Sequence, residues 1–207
     1  MRKYTWIILV LVPVFLLAQS KPDALKLYRE GKYEEARQVC LSELEQNPNN
    51  MDSYVVLCWS LLALKRWGDA ELYAKKALAI RNDPRIIEIL GEALFYMGKN
   101  KEALEYFTQY INLLPDGSRI GLVYYFIAEI YLRQEKLQHA SISMSTALLY
   151  DAGNVLWWTR LGYIYERLKD YQNAIAAYNK ALELNPLYAD AKQGKERILA
   201  LLRDSTQ

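Results

Sequence analysis

Residues 158–186 read WTRLGYIYERLKDYQNAIAAYNKALELNP. Trp158, Leu161, Gly162 and Tyr165 fall at steps of three and four, so they share one face of a helix. Ala174, Tyr178 and Ala181 do the same on a second helix after the polar turn Lys169-Asp170-Tyr171-Gln172-Asn173. The small Gly162 lets that second helix approach closely, and Ala174 does so from the other side. Pro186 punctuates the end, because proline ends a helix or opens the next and rarely sits inside one.

The unit repeats upstream. One small residue per copy marks the close approach: Ala36, Ala70, Ala103, Ala140 and Ala174, with spacings of 34, 33, 37 and 34. Each follows a short polar or glycine-containing turn. The first-helix triplets align with them: Tyr54, Leu57, Cys58; Ile87, Leu90, Gly91; Tyr124, Ile127, Ala128; Trp158, Leu161, Gly162. The stretch Pro115-Asp116-Gly117-Ser118-Arg119 accounts for the 37-residue spacing and is expected to be a longer loop.

This pattern resembles the tetratricopeptide repeat, whose 34-residue unit carries W-x2-L-G-x2-Y, then A-x3-F and a proline. The resemblance runs from residue 22 to about 188. It implies an all-α, right-handed α-solenoid of about five helix pairs, over residues 22–50, 51–83, 84–117, 121–154 and 155–188. A polar C-terminal capping helix is expected over 189–203, burying Ala191, Ile198 and Leu202 and keeping its outer face charged. The first copy has a shortened first helix, as terminal repeats often do. The second has Ala74 where the second-helix aromatic normally stands and Asn82 in place of the proline. Phe107, Tyr178, Tyr131 and Tyr165 fall at core positions, and Trp157 is expected to pack on the fourth copy.

The first 20 residues differ in kind. Arg2 and Lys3 precede an apolar run from Tyr4 to Ala18, and Ala18-Gln19-Ser20 offers small residues before Lys21. The segment reads as a secretory signal peptide cleaved before Lys21. At 15 residues the run is short for a spanning helix, which needs roughly 20, but an uncleaved inner-membrane anchor is the alternative. An exported, periplasmic location of residues 21–207 follows. Of the 26 basic residues, Arg2 and Lys3 go with the signal, leaving 24 against 24 acidic residues. A balanced domain without a basic stripe does not point to nucleic acid.

Two cysteines, Cys40 and Cys58, lie in the first two copies. Either they form a disulfide, as export permits, or both are small buried core residues. The single histidine, His139, has no metal-spaced neighbour, and no phosphate loop or nucleophile elbow appears. The sequence therefore points to no cofactor, no metal and no enzyme.

The resemblance also implies an inner groove lined by first-helix residues. Carried over, these include Val55 and Trp59; Glu88, Glu92, Phe95 and Tyr96; Tyr125, Glu129 and Arg133; Thr159, Tyr163, Glu166 and Arg167. Glu88 and Glu92 share a helix face. With Glu129 they would make an acidic patch flanked by Arg133 and Arg167, or a mixed surface on which those arginines neutralise nearby carboxylates. The expected partner-binding residues are Trp59, Glu88, Glu92, Phe95, Tyr125, Glu129, Arg133, Tyr163 and Arg167. The function implied is non-enzymatic binding of a protein or peptide, as a scaffold or adaptor in a bacterial envelope complex. A small-ligand carrier enclosed by the helical curl, or a carboxylate-based enzyme, is the alternative. The Lys, Asn and Arg clamp with which some family members hold acidic C-terminal peptides is not present, so a basic or aromatic ligand suits the groove better.

Overall fold

The computed structural model describes residues 23–204, which form eleven helices. The signal segment lies outside the described residues. The first helices of the five repeats are α1 (Ala24–Arg29), α3 (Met51–Ala63), α5 (Pro84–Tyr96), α7 (Ile120–Arg133) and α9 (Val155–Arg167). The second helices are α2 (Tyr33–Gln46), α4 (Trp67–Ile80), α6 (Asn100–Leu113), α8 (Leu137–Tyr150) and α10 (Tyr171–Leu184), and α11 (Ala189–Asp204) closes the array.

All five register alanines, Ala36, Ala70, Ala103, Ala140 and Ala174, are fully buried. Four residues on, Cys40, Ala74, Phe107, Met144 and Tyr178 are buried as well. Opposite them the volumes trade off. Where the first helix carries glycine, Gly91 or Gly162, the second carries a ring, Phe107 or Tyr178. A Cβ on either glycine would come within 2.7 Å of that ring. Where the first helix carries Cys58 or Ala128, the second carries the non-aromatic Ala74 or Met144. Ala74 is thus one half of a different packing pair. Burying a ring such as Phe107 is worth about 1.5–3 kcal/mol, so the glycine–ring pairs are strong fastenings within the third and fifth repeats.

Every intra-repeat turn closes alike. Gly31, Lys65, Gly98, Glu135 and Lys169 adopt positive φ, between 59° and 76°. In the fifth repeat the Lys169 amide donates to the Glu166 carbonyl and the Asp170 amide to the Tyr165 carbonyl. The other four turns repeat both bonds. This left-handed closure satisfies the last carbonyls of each first helix.

The first helices pack on one another, α1 on α3, α3 on α5, α5 on α7 and α9 on α11, while the second helices pack on the first helices to either side. The first helices therefore form the inner layer. Asp23, Asn50, Asp83 and Asn154 cap α1, α3, α5 and α9 with their side chains. At α7 that place belongs to Arg119, which makes no side-chain cap bond. The connector before α7, residues 114–119, is the long one expected. It folds tightly at Gly117, where a Cβ would lie 2.4 Å from the Tyr110 hydroxyl.

At the C-terminus Ala191, Gly194 and Ile198 are the buried stripe of α11. Leu202 is a correction to the expected stripe: it is 38% exposed, because α11 runs past the end of the layer it covers. Cys40 and Cys58 are free thiols, both buried. Desolvation pushes the Cys40 thiol up to about 12, and Cys58 rises for the same reason. Tyr131 and Tyr165, expected in the core, are half-buried at its edge.

Candidate binding face

The nine residues expected to bind a partner lie along the inner layer but separate into two groups. Trp59, Glu88 and Glu92 belong to the first, around repeats one to three. Trp59 is half-buried and its ring lies 5.7 Å from that of Tyr28 on α1. Its Nε1 is buried and has no hydrogen-bond partner within the protein. Glu88 is 1% exposed and Glu92 14%, and a single nitrogen reaches both: Arg119 Nη2 donates to Glu88 Oε1 at 2.8 Å and to Glu92 Oε2 at 3.1 Å. Arg119 Nε and Glu88 Oε2 remain buried without partners. Desolvation, then the neighbouring Glu88 charge, pushes the Glu92 carboxyl up to about 7. Glu88 is raised as well, by burial, with Arg119 opposing.

Phe95, Tyr125, Glu129, Arg133, Tyr163 and Arg167 belong to the second group, around repeats three to five. Here the charges pair rather than form an acidic patch. Arg133 makes no ion pair with Glu88, Glu92 or Glu129; its guanidinium lies 4.0 Å over the Phe95 ring and donates to the Phe95 carbonyl. Arg167 pairs with Glu135 and donates to the Tyr163 hydroxyl. Glu129, 7% exposed, accepts from Arg160, with Nε–Oε1 at 2.6 Å and a second bond from Nη2 to Oε2. Tyr125 stacks on the buried Trp157 at 5.7 Å and 13°, which places Trp157 against the fourth repeat as expected. Phe95 and Glu129 are thus spent on joining neighbouring repeats.

Residue identity alone did not single out Arg119, Arg160 and Arg197. Arg160 meets Glu129 and Arg197 meets Glu166, each 31 positions along. That offset is three short of the 34-residue unit, because an arginine one turn earlier on the next parallel helix leans back across the seam. The offset was the signal available. Arg119 also stands 31 beyond Glu88, but it reaches from the connector rather than from a helix.

Between α1, α3 and α5 the inner face opens into a recess of about 600 Å³. Its aromatic wall is Tyr28, Trp59, Trp67 and Tyr96, and Trp67 stacks on Tyr96 at 5.4 Å and 15°. Glu92, Arg119 and Lys65 supply its charges. Of the four rings, Tyr96 is 42% exposed and therefore reachable from solvent. A second, apolar hollow lies on the other side, where Leu149, Trp158, Leu161, Tyr165 and Ala177 meet between α8 and α10. Among the described residues no group of histidine, cysteine and acidic side chains is arranged to hold a metal. No described helix is long and apolar enough to cross a membrane.

An array of helix pairs with these register residues and an inner face of aromatic and charged side chains defines a repeat scaffold. Tetratricopeptide repeat models match residues 23–85, 89–117 and 155–188, together more than half of the chain, and the chain belongs to that family. It is similar to anaphase-promoting complex subunit 3 of Schizosaccharomyces pombe, 26% identical over 161 residues. That match covers 78% of this chain and 24% of the relative, so the chain spans about a quarter of that protein's length. Among solved structures, MamA (41-end) from Desulfovibrio magneticus RS-1 superposes with a TM-score of 0.69 at 22% identity, covering 80% of this chain and 92% of that one. YrrB, described as a TPR protein with an unusual peptide-binding site, gives 0.66 at 18% identity, covering 84% and 88%. At these identities the likeness is one of fold, the all-α solenoid of the family.

Proposed function

We propose that this chain is a non-enzymatic scaffold that holds a protein or peptide segment along its inner face, and that residues 21–207 do so in a bacterial envelope complex after export. The observation that carries the reading is the recess on the inner face. It combines aromatic rings, which dominate binding energy at interfaces, with the charged side chains of Glu92, Arg119 and Lys65. The peptide-binding site described for YrrB, a protein of the same fold, supports it. An enclosed carrier chamber has weaker support, because Glu92, Arg119 and Lys65 stand in the wall. A carboxylate enzyme has weaker support still, since Glu88 and Glu129 are buried against guanidinium groups.

The test is capture of envelope proteins by immobilised residues 21–207. Trp59→Ala with Tyr96→Ala is expected to weaken capture of the principal partner by about tenfold or more, as loss of an aromatic anchor does. Lys75→Ala and Lys180→Ala, on second helices and paired with Glu71 and Glu183, are expected to leave it unchanged. The opposite pattern would move the binding surface off the inner face.

A further inference from the structure

Several rings of this chain already carry one of its own cations. Arg133 lies over Phe95, Arg160 and Arg167 approach Tyr163, and lysines sit beside Tyr73 and Tyr131. Among the described residues no such contact falls on Tyr28, Trp59, Trp67 or Tyr96. Those four rings line the recess, and tryptophan and tyrosine faces attract cations through their quadrupole.

We propose that the recess between α1, α3 and α5 is a socket for the cationic side chain of an arginine or lysine in the bound segment. The inference rests on the reading of the inner face as a peptide-binding surface and adds the chemistry of what enters it. The charges argue in the same direction as the rings. Glu88 and Glu92 share one guanidinium nitrogen, so with both ionised the cluster is one positive charge short. Glu88 is already paired with Arg119 through Oε1, so the excess charge falls on Glu92, which lines the recess. A cation set against Glu92 and the Trp67–Tyr96 stack supplies the missing charge. Lys65, also in the wall, opposes it, but Lys65 is solvent-exposed and its field is screened, whereas the carboxylates are buried and theirs is not.

The experiment is an NMR titration that follows the indole N–H resonances of Trp59 and Trp67. The probes are N-acetyl-L-arginine amide, N-acetyl-L-lysine amide and their glutamine and glutamate counterparts. Saturable shifts are expected with the two basic probes, and binding about tenfold or more weaker with the glutamine and glutamate probes. Glu92→Gln and, separately, the exposed Tyr96→Ala are each expected to weaken the arginine probe several-fold with helicity unchanged, so the result does not hang on one variant's folding. Equal binding of the arginine and glutamine probes, or tighter binding of the glutamate probe, would overturn the cationic socket and leave the peptide-binding face standing. No shift with any probe would remove the recess as a ligand site. Loss of the peptide-binding face itself would instead appear as capture unaffected by the inner-face variants.

Discussion

Gly194 on α11 lies directly against the ring of Tyr178 on α10: a Cβ at Gly194 would stand 2.3 Å from Tyr178 Cζ. Gly162 presses on the same ring with 2.7 Å to Cδ1, and the Tyr178 hydroxyl donates to Glu166 at 2.8 Å. One ring therefore fastens the first helix, the second helix and the closing helix of the C-terminal end. Gly162→Leu and Gly194→Leu are each expected to lower stability by on the order of 1–3 kcal/mol or more through overpacking. Gly68→Ala, in α4 where an added Cβ would meet no other part of the protein within 4 Å, is expected to raise it by about 0.4–1 kcal/mol by restricting the unfolded chain. Thermal melts followed by circular dichroism separate the two signs.

The same ring makes the closing helix indispensable. A chain ending at Pro186 uncovers Tyr178 and the inner side of Ala174 and Ala181, which α11 covers with Ala191 and Ile198. Solenoid ends need a polar cap, so this truncation is expected to aggregate on size-exclusion chromatography. A clean monomer with an unchanged melting temperature would contradict the role of α11.

Lys169 holds φ at 60° at the turn of the fifth repeat, where glycine stands in the first and third. The left-handed region costs a non-glycine residue about 1–2 kcal/mol, partly offset by glycine's greater freedom when unfolded. Lys169→Gly is expected to raise stability by a few tenths to about 1 kcal/mol, and Gly98→Ala to lower it by a similar amount. Urea unfolding midpoints at equal slope are the measurement.

Glu92 makes stability depend on pH in a predictable direction. Burial raises its carboxyl from the ordinary 4.5 to about 7, the Glu88 charge adds to the rise, Arg119 opposes it, and Tyr28 and Tyr96 stand nearby. Between those values the folded chain holds a proton that the unfolded chain releases. The stabilisation is therefore full below pH 4.5 and is lost as pH rises through 7. Glu92→Gln removes the share of the dependence that Glu92 contributes, while the raised Glu88 remains. At pH 8 the variant is expected to be more stable than the parent by on the order of 1–3 kcal/mol, and at pH 4.5 nearly equal to it. Parallel denaturation curves across pH 4.5–8 give the difference directly. A difference that does not change with pH would mean that Glu92 titrates normally.

The proposed export implies a defined N-terminus. Mass spectrometry of the protein recovered from the envelope is expected to find Lys21 first, from the apolar run and the small residues before it. Intact Met1 would favour the membrane anchor.

The fold was legible because the packing pairs are written in the chain. Ala36, Ala70, Ala103, Ala140 and Ala174 mark each close approach, and Gly91 with Phe107 or Gly162 with Tyr178 show which volumes trade. The inner-face positions of Trp59, Glu92, Tyr125 and Tyr163 followed from the same register. What did not follow was the partner of each charge. Arg133 was placed beside the carboxylates, yet the choice between it and Arg160 depends on how far one parallel helix is offset from the next. That offset is three residues, set by how the parallel helices pack across the seam. Leu202 was misjudged for a related reason: periodicity says which face is apolar, not where the layer beneath it stops. The recess was least visible, since Tyr28 and Trp67 lie outside the expected groove residues and Arg119 lies in a connector.

Arrays of this kind grow and shrink by gaining or losing whole units, each contacting only its neighbours. Whatever is in register travels with a copied unit. Arg119 is out of register, because it stands in the longer connector at the cap position where the other first helices have asparagine or aspartate. A duplicate of residues 84–117 would carry new counterparts of Glu88, Glu92 and Tyr96 without the guanidinium that joins the carboxylates. Two buried acids would then face each other unneutralised. The recess is accordingly a single address in an otherwise interchangeable architecture, and lengthening the array by duplication would not multiply it.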